Sequence, residues 1–346
     1  MNKMPTLSVM MTNYNYGRYI AEALEAILTQ SFQPKEVILV DDASTDNSIE
    51  VINEFLNKYP NLKLFRNEKN MGPAFSANRA LEFASCDYVY CAASDDKVLP
   101  GFFEKSINLL AKYPQAGISF SRVLTSDYQI YGQLYNGRPQ YFSPEQVVKL
   151  FQPALCSFIP DHSAILKRHN LYEAGGFVPK MRWSCTIFTN SIIALRYGAC
   201  YIPEILVWTR IHDQRYPKVN YNVPSERDVI VTMFDTIKKS KYKDVLASYR
   251  KASPFSHSPW LVLKIIVSNP KYWLFLSPKL FRLTVLRDII NKASFSWLIL
   301  TFFFVLLGSV PISRFTVNIL FMHINVFFVM SILCFILFFY TKIFNE

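Results

Sequence analysis

The fold is decided by the stretch at residues 7–48, LSVMMTNYNYGRYIAEALEAILTQSFQPKEVILVDDASTDNS. It begins with an apolar, strand-like run and continues into a segment whose apolar residues recur at helical spacing. A second apolar run, at 37–40, leads directly into Asp41 and Asp42. Continuous apolar runs of this length are typical of strands covered on both faces, as parallel strands are. The stretch therefore predicts a strand–helix–strand unit of an α/β protein.

A second pair of carboxylates follows another predicted strand. Residues 88–93 are a mostly apolar run, and Asp95 and Asp96 come directly after it. Ligands of open α/β sheets bind at the carboxyl ends of the strands, so two such pairs favour a binding site there. The alternative is that each pair only begins a turn or caps the next helix, where Asp is common. The matching positions of the two pairs make this alternative less favoured.

The pattern of strand and helix continues along the first 125 residues. Four alternations of strand and helix predict parallel βαβ units. Residues 126–160 have no regular pattern and are predicted to be a connecting segment. The predicted strands are 7–11, 37–40, 62–67, 88–93 and 116–123, and the predicted helices are near 20–28, 46–59, 72–84 and 101–113.

Two long apolar runs lie near the C-terminus, at 295–312 and 315–341. They contain no charged residue except, when protonated, His323. Each is near or above the length of about 18–20 residues that a helix needs to cross a bilayer. Because only two residues separate them, the runs predict a transmembrane helical hairpin.

The formal charge of +11 comes entirely from the second part of the chain. Residues 1–235 contain 23 basic and 23 acidic residues, whereas residues 236–346 contain 14 basic and 3 acidic ones. Basic residues beside a membrane span favour the cytoplasmic side and attract anionic lipids. The basic residues are mixed with Trp, Leu, Ile and Phe, as in interfacial segments, and no nucleic-acid-binding motif accompanies them. We therefore expect a plasma or inner membrane protein with a cytoplasmic catalytic domain, anionic lipids as partners and no nucleic-acid partner.

Two common nucleotide-binding signatures are absent from the sequence. It has no G-x-x-x-x-G-K-[ST] phosphate loop and no G-x-G-x-x-G dinucleotide motif. Carboxylate oxygens are the ligands that Mg²⁺ and Mn²⁺ prefer, and these cations are commonly shared with substrate phosphates. Strand-end carboxylates without a glycine-rich loop therefore suggest a nucleotide diphosphate held through Mn²⁺ or Mg²⁺.

Several motifs of this chain occur together in one known family. They are the opening stretch at 7–48, NMGPAFSANRAL at 70–81, ASDDKVLPGFFEKSINLLAKYP at 93–114, GGF at 175–177 and YIPEILVWTRIH at 201–212. Over roughly residues 5–215 the chain resembles the inverting family-2 glycosyltransferases of GT-A fold, most specifically in its first half. The resemblance implies a Rossmann-like, mostly parallel sheet flanked by helices.

The resemblance also implies which residues bind the donor. Thr12, Tyr14 and Asp42 would hold the nucleobase and the nearby nucleoside, with Asp42 suited to accept a uracil N–H. Arg79 matches a basic residue near the donor site.

The metal site is implied in the same way. Asp95 and Asp96 resemble the family's metal motif, with Asp96 as the direct ligand, and His212 matches a histidine that lies near the metal in some members. The cation would stabilise the departing diphosphate as a Lewis acid while the acceptor attacks in line.

The chain departs from the family pattern after GGF. The family has a Glu-Asp pair there, whose Asp is the general base for the acceptor hydroxyl. This chain has VPKMRWSCTIFTNSII at 178–193, with Cys185 and Thr186 in the place of the pair. Neither side chain is a base near neutral pH without strong perturbation.

Three explanations stay open. The base comes from elsewhere, and Asp161, His162 and Glu204 are the nearest candidates by residue type. Alternatively, the acceptor is a phosphate such as a polyprenyl phosphate, which needs no base because its second pKa is about 6. In the third, the chain is a binding or scaffold subunit that turns nothing over.

The sequence predicts three parts: a GT-A domain at 1–220, a basic amphipathic membrane-interface region at 221–293 and the hairpin at 294–346. The predicted function is metal-dependent, inverting transfer of a sugar from a nucleotide diphosphate sugar, preferably a UDP-sugar, to a lipid-linked acceptor in surface polysaccharide synthesis. The predicted catalytic residues are Asp96, Asp161 and His162. Whether the chain forms a homo-oligomer is left open.

Overall fold

The computed structural model describes residues 5–132, 137–151, 159–182, 184–213, 225–252 and 259–276. The chain divides into two compact units, Met1–Phe275 and Leu276–Glu346. The predicted membrane spans at 295–312 and 315–341 lie outside the described residues. Within the described residues, no helix has both the length and the apolar character that crossing a membrane requires.

The first half of the sheet is parallel, as predicted. Strand β1 (Leu7–Asn13) pairs with β2 (Glu36–Asp41) and with β4 (Tyr88–Ala93), and β2 pairs with β3 (Leu62–Arg66). Every residue of β2 is buried, as expected for a strand covered on both faces. The carboxyl ends of β1, β2 and β4 therefore lie at one edge of the sheet.

The second half of the sheet is mixed and contains antiparallel strands that the sequence did not predict. Strand β9 (Ala164–Lys167) lies between β4 and β6 (Ile118–Thr125) and is antiparallel to both. The 3-10 turn Asp161–Ser163 comes directly before it. Because β9 is antiparallel, the residues before it lie at the edge where β4 and β6 end. β10 (Ala199–Thr209) then pairs parallel with β6.

Three short strands complete the sheet of the described residues. Each pairs antiparallel with a longer strand: β5 (Lys97–Val98) and β8 (Gln140–Phe142) with β10, and β7 (Ile130–Tyr131) with β6. The strand order is β3-β2-β1-β4-β9-β6-β10-β5, with β7 and β8 off this path.

The helices pack on the sheet through apolar faces. The buried face of α1 contains the apolar positions that the sequence pattern predicted, among them Ile20, Leu24 and Ile27. The helices Pro144–Phe151, Arg168–Glu173 and Ser184–Tyr197 were not predicted, and the first of them lies in the segment 126–160 that was expected to be a connection. The described α-helices are α1 Gly17–Leu28, α2 Ser48–Leu56, α3 Pro73–Phe83, α4 Phe102–Lys112, α5 Pro144–Phe151, α6 Arg168–Glu173, α7 Ser184–Tyr197, α8 Glu226–Ile237, α9 Lys243–Ala252 and α10 Pro259–Val267.

The compact unit extends beyond the predicted domain end at residue 220. Helices α8 to α10 and the 3-10 turn Pro270–Phe275 bury large side chains, including Phe234, Tyr249 and Phe275. Burial of such side chains stabilises by roughly 1.5–3 kcal/mol each, so these helices stay with the unit that ends at Phe275. That residues 221–293 form a membrane interface stays a prediction.

The start of α8 offers a test of this packing. Ser225 and Asp228 form a capping box in which each side chain accepts a hydrogen bond from the other residue's backbone N–H. Ser225→Ala should lower the stability of the unit by about 1 kcal/mol, because an N–H of the first turn loses its partner. Thermal melting of the full chain in detergent measures this, and an unchanged Tm would mean that α8 does not contribute to the cooperative unit.

Candidate active site

A cavity of about 360 Å³ opens at the edge where the parallel strands end. Residues from the ends of β1, β4, β6 and β10 line it, together with residues before β9 and at the start of α7. The predicted site residues on its wall are Thr12, Asp95, Asp96, Asp161, His162, Cys185 and Thr186. The structure thus brings together side chains that are up to 174 residues apart, from Thr12 to Thr186.

Asp95 and Asp96 follow Ser94, the first residue after β4, and contact different partners. Asp96 Oδ1 accepts a hydrogen bond from the Arg210 backbone N–H at 2.9 Å, and its Oδ2 lies 3.6 Å from His162 Nε2. Asp95 Oδ2 lies 3.0 Å from His212 Nε2. Each carboxylate therefore has a histidine beside it, and both remain on the cavity wall.

His212 does not itself line the cavity. Its ring is almost buried, with Tyr16 edge-on at 5.5 Å and Tyr19 at 4.9 Å between ring centroids. Nδ1 is buried and has no hydrogen-bond partner among the described residues. In this arrangement His212 orients Asp95, and its role as a metal ligand stays a prediction.

Asp161 occupies the 3-10 turn Asp161–Ser163 before β9. Thr186 donates a hydrogen bond to its carboxylate, while Oδ1 is buried and has no hydrogen-bond partner among the described residues. Burial raises the pKa of Asp161 to about 6, against the lowering effects of His162 and of the Thr186 hydrogen bond. The turn is held in place by the Tyr90 hydroxyl, which donates to the His162 carbonyl at 2.9 Å.

The two thiols near Asp161 cannot replace a base. Burial, followed by the nearby charge of Asp161, raises the pKa of Cys91 to about 12 and that of Cys185 well above its usual range. Both thiols line the cavity and stay protonated at neutral pH. Glu204 is no substitute, because it is exposed on β10, pairs with Lys105 and does not line the cavity.

The other Asp pair has a structural role in the hydrogen bonds that the structure describes. Asp41 Oδ1 accepts from Asn13 Nδ2 at 2.9 Å and from Ser44 Oγ at 2.5 Å, which joins the loops after β1 and β2. These contacts support the alternative given in the sequence analysis, in which the Asp pair begins a turn. Asp41 is fully buried and does not line the cavity.

Asp42 organises the loop before α3. Its oxygens accept from Asn67 Nδ2 at 2.6 Å and from the backbone N–H groups of Met71 and Gly72 at 2.9 and 2.7 Å. Arg79 Nη1 donates in turn to Asn67 Oδ1 at 2.5 Å. Asp42 and Arg79 thus belong to one network outside the residues that line the cavity, and their direct contact with a donor stays a prediction.

Of the two residues at the end of β1 that the resemblance implies beside the nucleoside, only one lines the cavity. Thr12 lines the cavity, and its carbonyl accepts from Ser94 Oγ at 2.9 Å. Tyr14 is partly buried but is not on the wall, whereas Tyr16, which was not predicted, is. The loop between them contains Asn15 with a φ of 56°. A residue in the left-handed region turns the chain sharply. The sequence alone therefore does not show whether Tyr14 or Tyr16 faces the cavity.

Two arginines on the wall were also missed. Arg210 donates from its backbone to Asp96 and from Nη2 to Glu22 at 3.0 Å, and its guanidinium lies over Tyr19 and Trp208. Arg182 lines the cavity just before α7. Arg210 lies 114 residues from Asp96, and no local pattern connects the two.

The donor set suits a cation that shares its coordination with a substrate. Among the described residues, no group of three or more His, Cys, Asp or Glu side chains could enclose a metal ion. Mg²⁺ and related cations are commonly bound through one or two carboxylates and complete their shell with water and substrate phosphates. Asp95 and Asp96 on the cavity wall could bind a cation in this way, through two carboxylates and a substrate phosphate.

Comparison with known proteins identifies a family that matches about the first half of the chain. The family model described as Glycosyl transferase family 2 matches residues 8–173. An uncharacterized glycosyltransferase of Haemophilus influenzae is 41% identical over 107 residues, which are 31% of this chain and 43% of that protein. The minor teichoic acid biosynthesis protein GgaB of Bacillus subtilis is 34% identical over 31% of this chain and 12% of that protein. The alignments thus span less than half of the length of these curated relatives.

The fold is similar to that of a solved structure. The crystal structure of S. aureus TarS 1-349 in complex with UDP-GlcNAc superposes with a TM-score of 0.59 at 19% identity, covering 78% of this chain and 79% of that chain. This likeness supports a GT-A-like sheet, whose strand-end edge holds the cavity described above. Residues 8–173 of this chain therefore match the glycosyl transferase family 2 domain.

Proposed function

We propose that this chain transfers a sugar from a nucleotide diphosphate sugar to a lipid-linked acceptor, with inversion at the anomeric carbon. The main support is the cavity that places Asp95 and Asp96 beside Thr12 at the strand-end edge of a family-2 domain. The volume, about 360 Å³, lies in the range of small-molecule sites. Family membership supports the reaction type.

The donor is proposed to be a UDP-sugar. The solved neighbour TarS was crystallised with UDP-GlcNAc, and this chain shares its fold. Thr12, Tyr14 and Tyr16 would lie beside the nucleoside, at the end of β1. Asp42 and Arg79 would shape the loop before α3 that borders it, since both bind Asn67.

The diphosphate would lie against Asp95 and Asp96. Asp96 would hold a divalent cation, Mn²⁺ or Mg²⁺, which when bound supplies Lewis-acid stabilisation of the departing diphosphate. His212 would keep Asp95 oriented through the 3.0 Å contact, and His162 would keep Asp96 oriented from 3.6 Å. Arg210 would fix Asp96 from the other side through its backbone N–H.

The setting is proposed to be surface polysaccharide synthesis at the cytoplasmic face of a membrane. The relative GgaB is named as a minor teichoic acid biosynthesis protein. The apolar runs at 295–312 and 315–341 and the basic residues before them favour a membrane-bound chain. A lipid-linked acceptor would lie in that membrane.

The first test is a calorimetric titration of UDP, GDP and dTDP into the full chain purified in detergent, with and without Mn²⁺. We expect UDP to bind, and to bind more tightly with Mn²⁺. The cation would bind both the diphosphate and the carboxylates of Asp95 and Asp96, and so offset the repulsion between these negative charges. CDP is titrated as well, because cytidine nucleotides are the donor class that the other three do not cover. If none of the four nucleotides binds, the chain is a scaffold and not an enzyme.

A further inference from the structure

The carboxylate of Asp161 is unusual among the acidic groups of the site. Asp95 and Asp96 each lie beside a histidine, and Asp42 accepts three hydrogen bonds from protein donors. Asp161 has a hydrogen bond from Thr186, but its Oδ1 is buried without a hydrogen-bond partner among the described residues. A buried acceptor without a donor is costly, so such groups are frequently functional.

Asp161 lies beside the position at which the family resemblance implies an acidic base. Its partner Thr186 occupies the place where the family resemblance calls for an acidic base, at the start of α7. The antiparallel direction of β9 delivers Asp161 to the same wall of the cavity. The cavity wall thus has a carboxylate on the turn that contacts α7, at the point where the family resemblance implies one on α7 itself.

Resting on the proposed function, we propose that Asp161 is the base that takes the proton of the acceptor, and that the reacting group of the acceptor is a hydroxyl and not a phosphate. The acceptor oxygen forms a bond to the anomeric carbon of the sugar. The bond from that carbon to the diphosphate oxygen breaks, and its electron pair leaves with the nucleoside diphosphate. The hydroxyl proton goes to the carboxylate of Asp161.

The surroundings of Asp161 favour a hydroxyl acceptor. Its neighbours are the protonated thiols of Cys91 and Cys185, the Thr186 hydroxyl and His162. The other charged groups on the cavity wall are Asp95, Asp96, Arg182 and Arg210. A phosphate acceptor needs no base, and its charge would be repelled by the ionised carboxylate of Asp161.

The experiment uses the full chain in detergent and the nucleotide sugar whose nucleotide binds. Three acceptor probes are compared: octyl β-glucoside, which offers hydroxyls; decyl phosphate, which offers a phosphate; and azide, which is an anion and needs no base. The variants are Asp161→Asn and, as a matched control, Glu104→Gln, which removes an exposed carboxylate on α4. Release of nucleoside diphosphate is measured together with nucleotide affinity.

Wild-type chain should use octyl β-glucoside and not decyl phosphate. Asp161→Asn should lower the octyl β-glucoside rate by about 10²–10⁴-fold, the usual contribution of a general base, and leave the azide rate and the nucleotide affinity unchanged. The wild-type rate should rise with pH through about 6, where Asp161 ionises, and this limb should be lost in the variant. Glu104→Gln should behave as wild type.

A second variant tests the position directly. Adding Thr186→Asp to Asp161→Asn restores a carboxylate at the place the family uses, and it should recover part of the octyl β-glucoside rate. The Tm of Asp161→Asn should not be lower than wild type at pH 8. Because burial raises the pKa of Asp161, its ionised form costs stability above pH 6, and Asn removes that cost.

Several results would overturn the assignment. An equal loss with azide and octyl β-glucoside would mean that Asp161 only supports the structure, and an unchanged octyl β-glucoside rate would mean that it is not the base. Transfer to decyl phosphate would make the acceptor a phosphate. A wild-type chain that binds the nucleotide sugar but uses none of the probes would also count against a base at this wall, whereas absence of nucleotide binding would instead remove the proposed function.

Discussion

Asp96→Asn is expected to weaken Mn²⁺-dependent binding of the nucleotide diphosphate by about 100-fold or more, because loss of even an outer-shell partner of a metal ligand costs up to about 100-fold. The amide is neutral and binds a divalent cation poorly, so the charge that holds the cation on the diphosphate is lost. The fold should survive, because Asn Oδ1 can still accept the 2.9 Å hydrogen bond from the Arg210 backbone N–H. Calorimetry with and without Mn²⁺ measures the affinity, and thermal melting measures the fold.

Two comparisons sharpen this prediction. Asp95→Asn should have a smaller effect, of about 10-fold, because its Oδ2 already contacts His212 and the carboxylate acts beside the ligand. Glu104→Gln, far from the cavity on α4, should have none. If Asp96→Asn keeps the wild-type affinity in Mn²⁺ at an unchanged Tm, Asp96 does not bind the cation.

Glu36→Gln is expected to lower the free energy of unfolding by about 2 kcal/mol. Glu36 is a buried carboxylate at the start of β2, and its Oε1 accepts from Ser8 Oγ at 2.7 Å and from the backbone and hydroxyl of Ser85 at 2.8 and 2.9 Å. Lys63 Nζ lies 3.3 Å from Oε2 but is half exposed, so its part is screened by water. A neutral amide loses the charge that strengthens these bonds.

The pH dependence of this effect follows from the pKa of Glu36. Burial would raise the pKa, but hydrogen bonds from Ser85, Ser8 and Lys63 outweigh it and lower the pKa to about 2, from an ordinary value of 4.5. As the pH falls, Glu36 therefore binds a proton at a lower pH in the folded state than in the unfolded state. The stabilisation is complete above about pH 4.5 and is lost as the pH falls towards 2.

The measurement is thermal melting of the full chain in detergent at pH 7, 4 and 3. At pH 7 the Tm of Glu36→Gln should be about 4–8 °C below wild type, and the difference should shrink at pH 4 and again at pH 3. Glu25→Gln on the exposed face of α1 is the control. A difference that is the same at all three pH values would show that the ionised carboxylate is not what stabilises this site.

Much of the first half of the fold could be predicted from local patterns. The strand at Tyr88–Ala93 has the predicted bounds, and β1, β2 and β3 differ from prediction by only one or two residues at an end. The reason is that a strand buried on both faces must be apolar throughout, which leaves a continuous run in the sequence. The eight-residue helix α5 has no comparable signal and was missed.

The candidate site was predictable where it depends on strand ends. Asp95 and Asp96 follow a recognisable strand, so their place at the ligand-binding edge follows from the rule for open α/β sheets. The same rule treats Asp41 and Asp42 alike, although their described hydrogen bonds serve the loops and neither lines the cavity. Which strand-end carboxylate faces a cavity depends on its loop, which local pattern does not specify.

The sequence by itself determined the apolar strands, the acidic residues after them and the absence of an acidic pair at 185–186, because these are properties of neighbouring residues. Only the tertiary structure decided that β9 runs antiparallel and so brings Asp161 against Thr186, and that the Arg210 backbone binds Asp96 from 114 residues away. Strand direction and pairing are set by packing between distant segments, whose free energy no local pattern contains.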